Sequence, residues 1–140
     1  MSASISKVTK IRNLMDGEVR DRDGCERISE MLSRIGDKWT ILIVRRLGDK
    51  PQRFNALRRE IGDISQKMLS TTLRNLERDG FVNRHVTPSN PPQVEYTLTK
   101  LGHDLLVPVQ ALALWTFQNM EQIEAARAVY AERATMTNAA

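Results

Sequence analysis

The sequence predicts a mainly α-helical domain with one small β-hairpin, closed by terminal helices that pair with a second copy to make a homodimer. Three observations carry that prediction. Apolar residues recur every three or four positions through most of the chain, two short segments alternate apolar and polar instead, and the last third carries more apolar surface than one small domain covers. With 140 residues, 41% hydrophobic and 27% charged, the chain fits a single globular domain.

Residues 1–22 form an arm or helix in which Ile5, Val8, Ile11, Leu14 and Met15 recur at helical spacing among mixed charges. A first firm helix begins at Asp23, which caps it with Glu26 three residues on; Cys25, Ile28, Leu32 and Ile35 share one face, and Gly36 stops it. Asp37 caps the next helix, whose apolar side carries Trp39, Leu42, Ile43 and Leu47 before Gly48 and Pro51 end it. A short third helix, "FNALRREIG", turns Phe54, Leu57 and Ile61 inward and Arg58 and Arg59 outward. A fourth spans 65–79: Ser65 is its cap, Leu69, Leu73 and Leu76 repeat at four and three residues, and Asp79-Gly80 ends it.

The alternating segments "FVNRHV" and "QVEYTL" flank "TPSNPP", which resists helix, so residues 81–98 read as a hairpin with a stiff tip. From Thr99 a helical pattern resumes to about 134, with a break expected near 107 where Pro108 lacks an amide donor, and a flexible tail over 135–140. Leu112, Trp115, Phe117, Met120 and Ile123 are the expected dimer-interface residues.

Three helices, a tight helix-turn-helix and a hairpin, residues 23–98 in all, make a winged helix-turn-helix whose second helix enters the DNA major groove. With the leucines facing the core, Ser65, Gln66, Lys67, Ser70, Thr71 and Arg74 fall on the outer side, towards the helix start, as a donor-rich surface able to read base edges and phosphates. Arg84 and the tip residues Ser89, Asn90 and Gln93 extend that surface to the flanking backbone or minor groove. Charge agrees with a polyanionic partner: the formal charge is +4, the pI about 9.6, and residues 1–100 hold 19 Lys+Arg against 13 Asp+Glu while 101–140 hold two against four.

"CERISEMLSRIGDKWTILIVRRL", "RFNALRREIGDISQKMLSTTLRNLERDGFVNR" and "PPQVEYTLTKLG" together resemble the opening, recognition unit and wing of the HxlR-type transcriptional regulators, relatives of the MarR-like winged helices. The resemblance covers roughly residues 25 to 120. It implies a sequence-specific DNA-binding regulator, expected to act as a repressor that binds a palindromic operator as a homodimer.

Cys25, the only cysteine, has two readings. One is a small apolar residue buried on its helical stripe. The other is a sensor in the first helical turn, where the helix dipole favours thiolate and Asp23 and Glu26 beside it oppose it; the resemblance adds weight to this one, because some relatives sense electrophiles or oxidants through the cysteine at this position, and both readings stay open. A lone cysteine also excludes an intrachain disulfide. The apolar run Trp39 to Val44 is too short to span a bilayer and no leader opens the chain, so the expected location is cytoplasmic, without a membrane partner.

Enzymatic chemistry is not expected. No phosphate loop, nucleophile elbow or metal-ligand spacing occurs, His85 and His103 stand apart, and no cofactor or metal is implied. Glu77, Asp79, Glu121 and Glu124 read as solvated helix charges, Trp39 as core and Trp115 as dimer interface. The alternative functions are a ligand-responsive regulator of the same fold, with an aromatic effector in the cleft beside the dimer helices, and a winged-helix protein-interaction module.

Overall fold

The computed structural model describes residues 22–139, so the expected N-terminal arm lies outside the described residues except for Arg22. In chain order the elements are α1 (Arg22–Ile35), α2 (Lys38–Asp49), β1 (Gln52–Arg53), α3 (Phe54–Ile61), α4 (Gln66–Arg78), β2 (Val82–Thr87), β3 (Gln93–Leu98) and α5 (Lys100–Ala139). Two compact units divide the chain, one ending at Ile41 and one beginning at Leu42. No helix among the described residues is long and apolar enough to cross a membrane.

In the first unit, α1 begins at Arg22, so Asp23 lies within the helix rather than ahead of it as its cap. The helix ends as expected at Gly36, whose amide donates to the Leu32 carbonyl at 2.8 Å. The stripe Cys25, Ile28, Leu32 is not buried. Cys25 is exposed and Ile28 and Leu32 are about half exposed, which corrects the reading of Cys25 as a buried apolar residue. Asp37 does cap α2: its carboxylate accepts from the amides of Trp39 at 3.1 Å and Thr40 at 3.2 Å, satisfying two donors that have no partner within the helix.

The core of the second unit is built from Ile43, Val44 and Leu47 of α2, Leu57 of α3, Leu69, Leu73 and Leu76 of α4, Val82 and Leu98 of the sheet, and Val109 of α5. Gly48 does not end α2, which runs on to Asp49; the glycine instead gives room to the Leu106 side chain. The sheet has the order β1-β3-β2, all antiparallel, with Val82 opposite Leu98, Arg84 opposite Tyr96 and Gln52 also opposite Tyr96. Strand β1 was not expected from the sequence. Its anchor is Gln52, buried, whose amide nitrogen donates to Glu60 Oε2 at 2.9 Å and to the Arg46 carbonyl at 3.3 Å. The mainly helical winged architecture predicted from the sequence is the architecture found.

The C-terminal region corrects two expectations. No break occurs near 107, because α5 is one helix of 40 residues with Pro108 inside it, and residues 135–139 are helical rather than a loose tail. Proline removes the donor for the carbonyl four residues back and costs about 3 kcal/mol in a helix interior. The turns on either side outweigh that penalty, and buried Val109 fixes the helix directly after the proline. At its start, the Thr99 hydroxyl accepts from the Gly102 amide at 3.0 Å and donates to the Gly80 carbonyl at 2.6 Å, which caps α5 and ties it to the end of the recognition unit.

Candidate nucleic-acid interface

Helix α4 carries the candidate reading face. Ser65 lies just before it with extended backbone, and its hydroxyl accepts from the Met68 amide at 3.0 Å. The buried side is Leu69, Thr72, Leu73 and Leu76; Thr72 satisfies its hydroxyl on the Met68 carbonyl at 2.8 Å. This leaves Gln66, Lys67, Thr71 and Arg74 exposed and Ser70 half-buried, the distribution the leucine spacing demands. Gly80, with φ of 85°, turns the chain out of α4, and the Phe81 amide returns to the Leu76 carbonyl at 2.9 Å.

Strand alternation then sorts the wing. Val82, Arg84, Val94, Tyr96 and Leu98 share the face that packs on the helices, and Asn83, His85, Gln93, Glu95 and Thr97 share the other. On the inner face a groove of 500 Å³ opens between α4 and the wing, lined by Phe54, Ser70, Leu73, Arg74, Glu77, Arg84 and Tyr96. It brings together Ser70, Arg74 and Arg84, three of the residues chosen from sequence. Two guanidiniums and one carboxylate leave the groove with a net positive formal charge, an aromatic floor and hydroxyl donors.

The other chosen residues are placed differently. Gln66, Lys67 and Thr71 project from α4 outside the groove, and Asn90 is exposed at the wing tip. Three side chains are already engaged within the protein: Ser65 as the cap, Ser89 donating to the Pro91 carbonyl at 2.7 Å, and Gln93, whose Oε1 accepts from Arg53 Nη2 at 2.6 Å. The sequence reading assigned Phe54 to the core, gave Tyr96 and Arg53 no site role, and treated Glu77 as an ordinary solvated charge. Among the described residues no group of three or more His, Cys, Asp or Glu side chains is placed to hold a metal ion.

The expected dimer-interface residues lie on α5. Leu112, Trp115 and Phe117 are exposed and Met120 and Ile123 half-buried. At 100° per residue, Trp115 and Phe117 stand about 200° apart, so they belong to two faces of the helix: Leu112 with Trp115, and Leu114 with Phe117.

The sequence profile of the HxlR-like helix-turn-helix family matches residues 34–124, from the end of α1 into the second half of α5, and leaves Cys25 outside the matched range. The HTH-type transcriptional regulator YtfH of Escherichia coli is 44% identical over 98 residues, covering 70% of this chain and 78% of the relative. Among solved structures, the redox regulator HypR in its reduced form is 37% identical, with 71% of this chain and 98% of that chain covered at a TM-score of 0.66. Diamide-treated YodB from Bacillus subtilis is 38% identical, with 66% and 91% covered at a TM-score of 0.58.

Proposed function

The chain belongs to the HxlR-like helix-turn-helix family of transcriptional regulators, and from that premise we propose that it is a homodimeric repressor released from a palindromic operator by chemical modification of Cys25. The observation that carries the DNA-binding half is the exposed face of α4, Gln66, Lys67, Thr71 and Arg74, running beside the groove that adds Ser70 and Arg84. Lys67 and the guanidiniums neutralise phosphates, while Gln66 and Arg74 have the donor patterns that discriminate adenine and guanine. Two copies would set their α4 helices about one DNA turn apart, roughly 34 Å, and the exposed apolar faces of α5 supply the surface that a second copy covers.

Cys25 supports the second half. It is exposed in the first turns of α1, on a stripe with the exposed Ile28 and Leu32, where a change in the thiol alters a surface suited to a partner helix. Two structural relatives are a redox regulator and a regulator treated with the thiol oxidant diamide. Alkylation joins the electrophile's carbon to Sγ with loss of the thiol proton; diamide takes two electrons and two protons from Sγ–H and a second thiol, leaving a disulfide.

The test is selection of bound genomic fragments by the full chain, before and after diamide. Recovery of a palindromic sequence that is lost on oxidation, and kept by Cys25→Ser under the same treatment, is the expected result. Equal loss of DNA by the Cys25→Ser protein overturns the thiol mechanism, and failure to select any sequence at low salt overturns the operator reading.

A further inference from the structure

We propose that Arg53 is a phosphate-anchoring residue of the DNA-binding surface and that Gln93 is the residue that positions it. The inference rests on the DNA-binding reading above and adds to it a residue from β1, outside the helix-turn-helix and the hairpin.

The geometry begins with the two-residue strand. Gln52 is buried and hydrogen-bonded to α2 and α3, so β1 is fixed and alternation turns the next side chain, Arg53, to the opposite, exposed face. The residue directly across from Arg53 in the sheet is Glu95. Yet the guanidinium bonds to Gln93, two residues nearer the wing tip on the same face, with Nη2 donating to Oε1 at 2.6 Å. The side chain therefore runs diagonally along the wing toward its tip, the end that approaches DNA in this architecture.

One Nη2–H is occupied by Gln93, and the rest of the planar five-donor fork remains for two oxygens of a phosphate. A hydrogen bond between two exposed side chains contributes little to stability, so the pairing is poorly explained as a fold-stabilising clamp. It is well explained as restriction of a long, flexible side chain ahead of binding, which reduces the ordering cost at the interface. Arg84 lies on the inner face of the same wing, opposite Tyr96, and Arg53 lies on the outer face, so the wing carries a guanidinium on each side. A wing laid into a minor groove has a phosphate strand on each side.

Fluorescence anisotropy of the full chain on its selected operator and on a scrambled duplex of equal length, across about 50 to 200 mM salt, tests this. Arg53→Ala is expected to weaken both duplexes alike, roughly tenfold at low salt, and to make the slope of log affinity against log salt shallower by about one. Arg53→Lys restores the slope but not the full affinity, because an ammonium cannot serve Gln93 and phosphate with a fixed fork. Gln93→Ala keeps the slope, weakens binding by a smaller factor, and costs nothing further when Arg53 is already alanine. Wild-type slope and affinity in Arg53→Ala, or a Gln93→Ala effect that persists undiminished without Arg53, overturns the proposal alone. Absence of binding by the unaltered protein to either duplex overturns the DNA-binding reading and this proposal with it.

Discussion

Ser65 separates two roles that a sequence cannot tell apart, base or phosphate contact and helix cap. Its hydroxyl accepts from the Met68 amide at 3.0 Å, and Ser65→Ala removes that acceptor while leaving the amide without a partner in the protein. Loss of such a cap costs about 1 kcal/mol. For a chain of this size that lowers the melting temperature by roughly 2 to 4 °C, readable by circular dichroism. Because the hydroxyl is spent on the helix, operator affinity of the folded protein should change by less than about twofold. Ser65→Asp gives the converse. A carboxylate caps as well as serine and suits the positive end of the helix, so melting is kept, while its charge at the reading face repels phosphate and lowers affinity roughly tenfold at low salt. If Ser65→Ala melts with the unaltered protein yet loses the operator, the hydroxyl serves DNA and the capping argument is wrong.

Glu77→Gln should raise affinity for scrambled DNA several-fold and narrow the ratio of operator to scrambled binding, because Glu77 places a carboxylate beside Arg74 and Arg84 in the groove and repels any phosphate that enters without a specific partner; titration of both duplexes measures the ratio, and an unchanged ratio sinks the idea. Two helical glycines should respond unequally to alanine in urea unfolding. At Gly102 an added Cβ meets the backbone carbonyl oxygen of Phe81, which cannot move without the wing, and the loss should exceed about 2 kcal/mol; at Gly48 it meets only the end of the Leu106 side chain, and the change should stay within about 1 kcal/mol. Phe117, 81% exposed, should become a monomerising position: Phe117→Ser is expected to shift the sedimenting species toward the monomer with helix content retained, and an unchanged dimer would place the interface on the Trp115 side.

Much of this was legible because strong periodicities carried it. The leucines at 69, 73 and 76 fixed the orientation of α4 and so the identity of its outer face, and Ser65, Asp37 and Gly80 marked ends by chemistry that acts within a few residues. What stayed hidden was of another kind. Strand β1 is two residues long and has no period to detect; its place in the sheet comes from pairing with β3, more than forty residues later. Arg53 was invisible for the same reason, since its role depends on a neighbour supplied by the wing. Pro108 gave a true local signal that the rest of a long helix outvoted. The stripe through Cys25, Ile28 and Leu32 was legible as a face, but whether it is buried was left between two readings of Cys25, because periodicity states which residues lie together and not what covers them; the structure leaves the face exposed.

The junction between α5 and the helix-turn-helix bears on how the proposed change in dimer geometry would reach DNA. The Thr99 hydroxyl bonds to Gly80, the Thr99 amide donates to the Phe81 carbonyl at 3.0 Å, and Gly102 lies so close to that same carbonyl that no side chain fits between. Gly80 and Phe81 are two of the three residues, with Asp79, that join α4 to the wing, and the Phe81 amide is itself bonded to the Leu76 carbonyl of α4. All the stitches are backbone or short side-chain contacts around one turn, with little slack in them. A reorientation of α5 must therefore carry the Gly80–Phe81 turn with it, or break two hydrogen bonds that each contribute about 1 kcal/mol and open a packed contact besides. The turn sets the angle between α4 and the wing, and with it the distance between Arg74 and Arg84 across the groove. On the proposed dimer reading, the helix whose exposed faces a second copy would cover is thus joined at its first turn to the turn between α4 and the wing, so the spacing of the two half-site contacts and the shape of each would be set by one element.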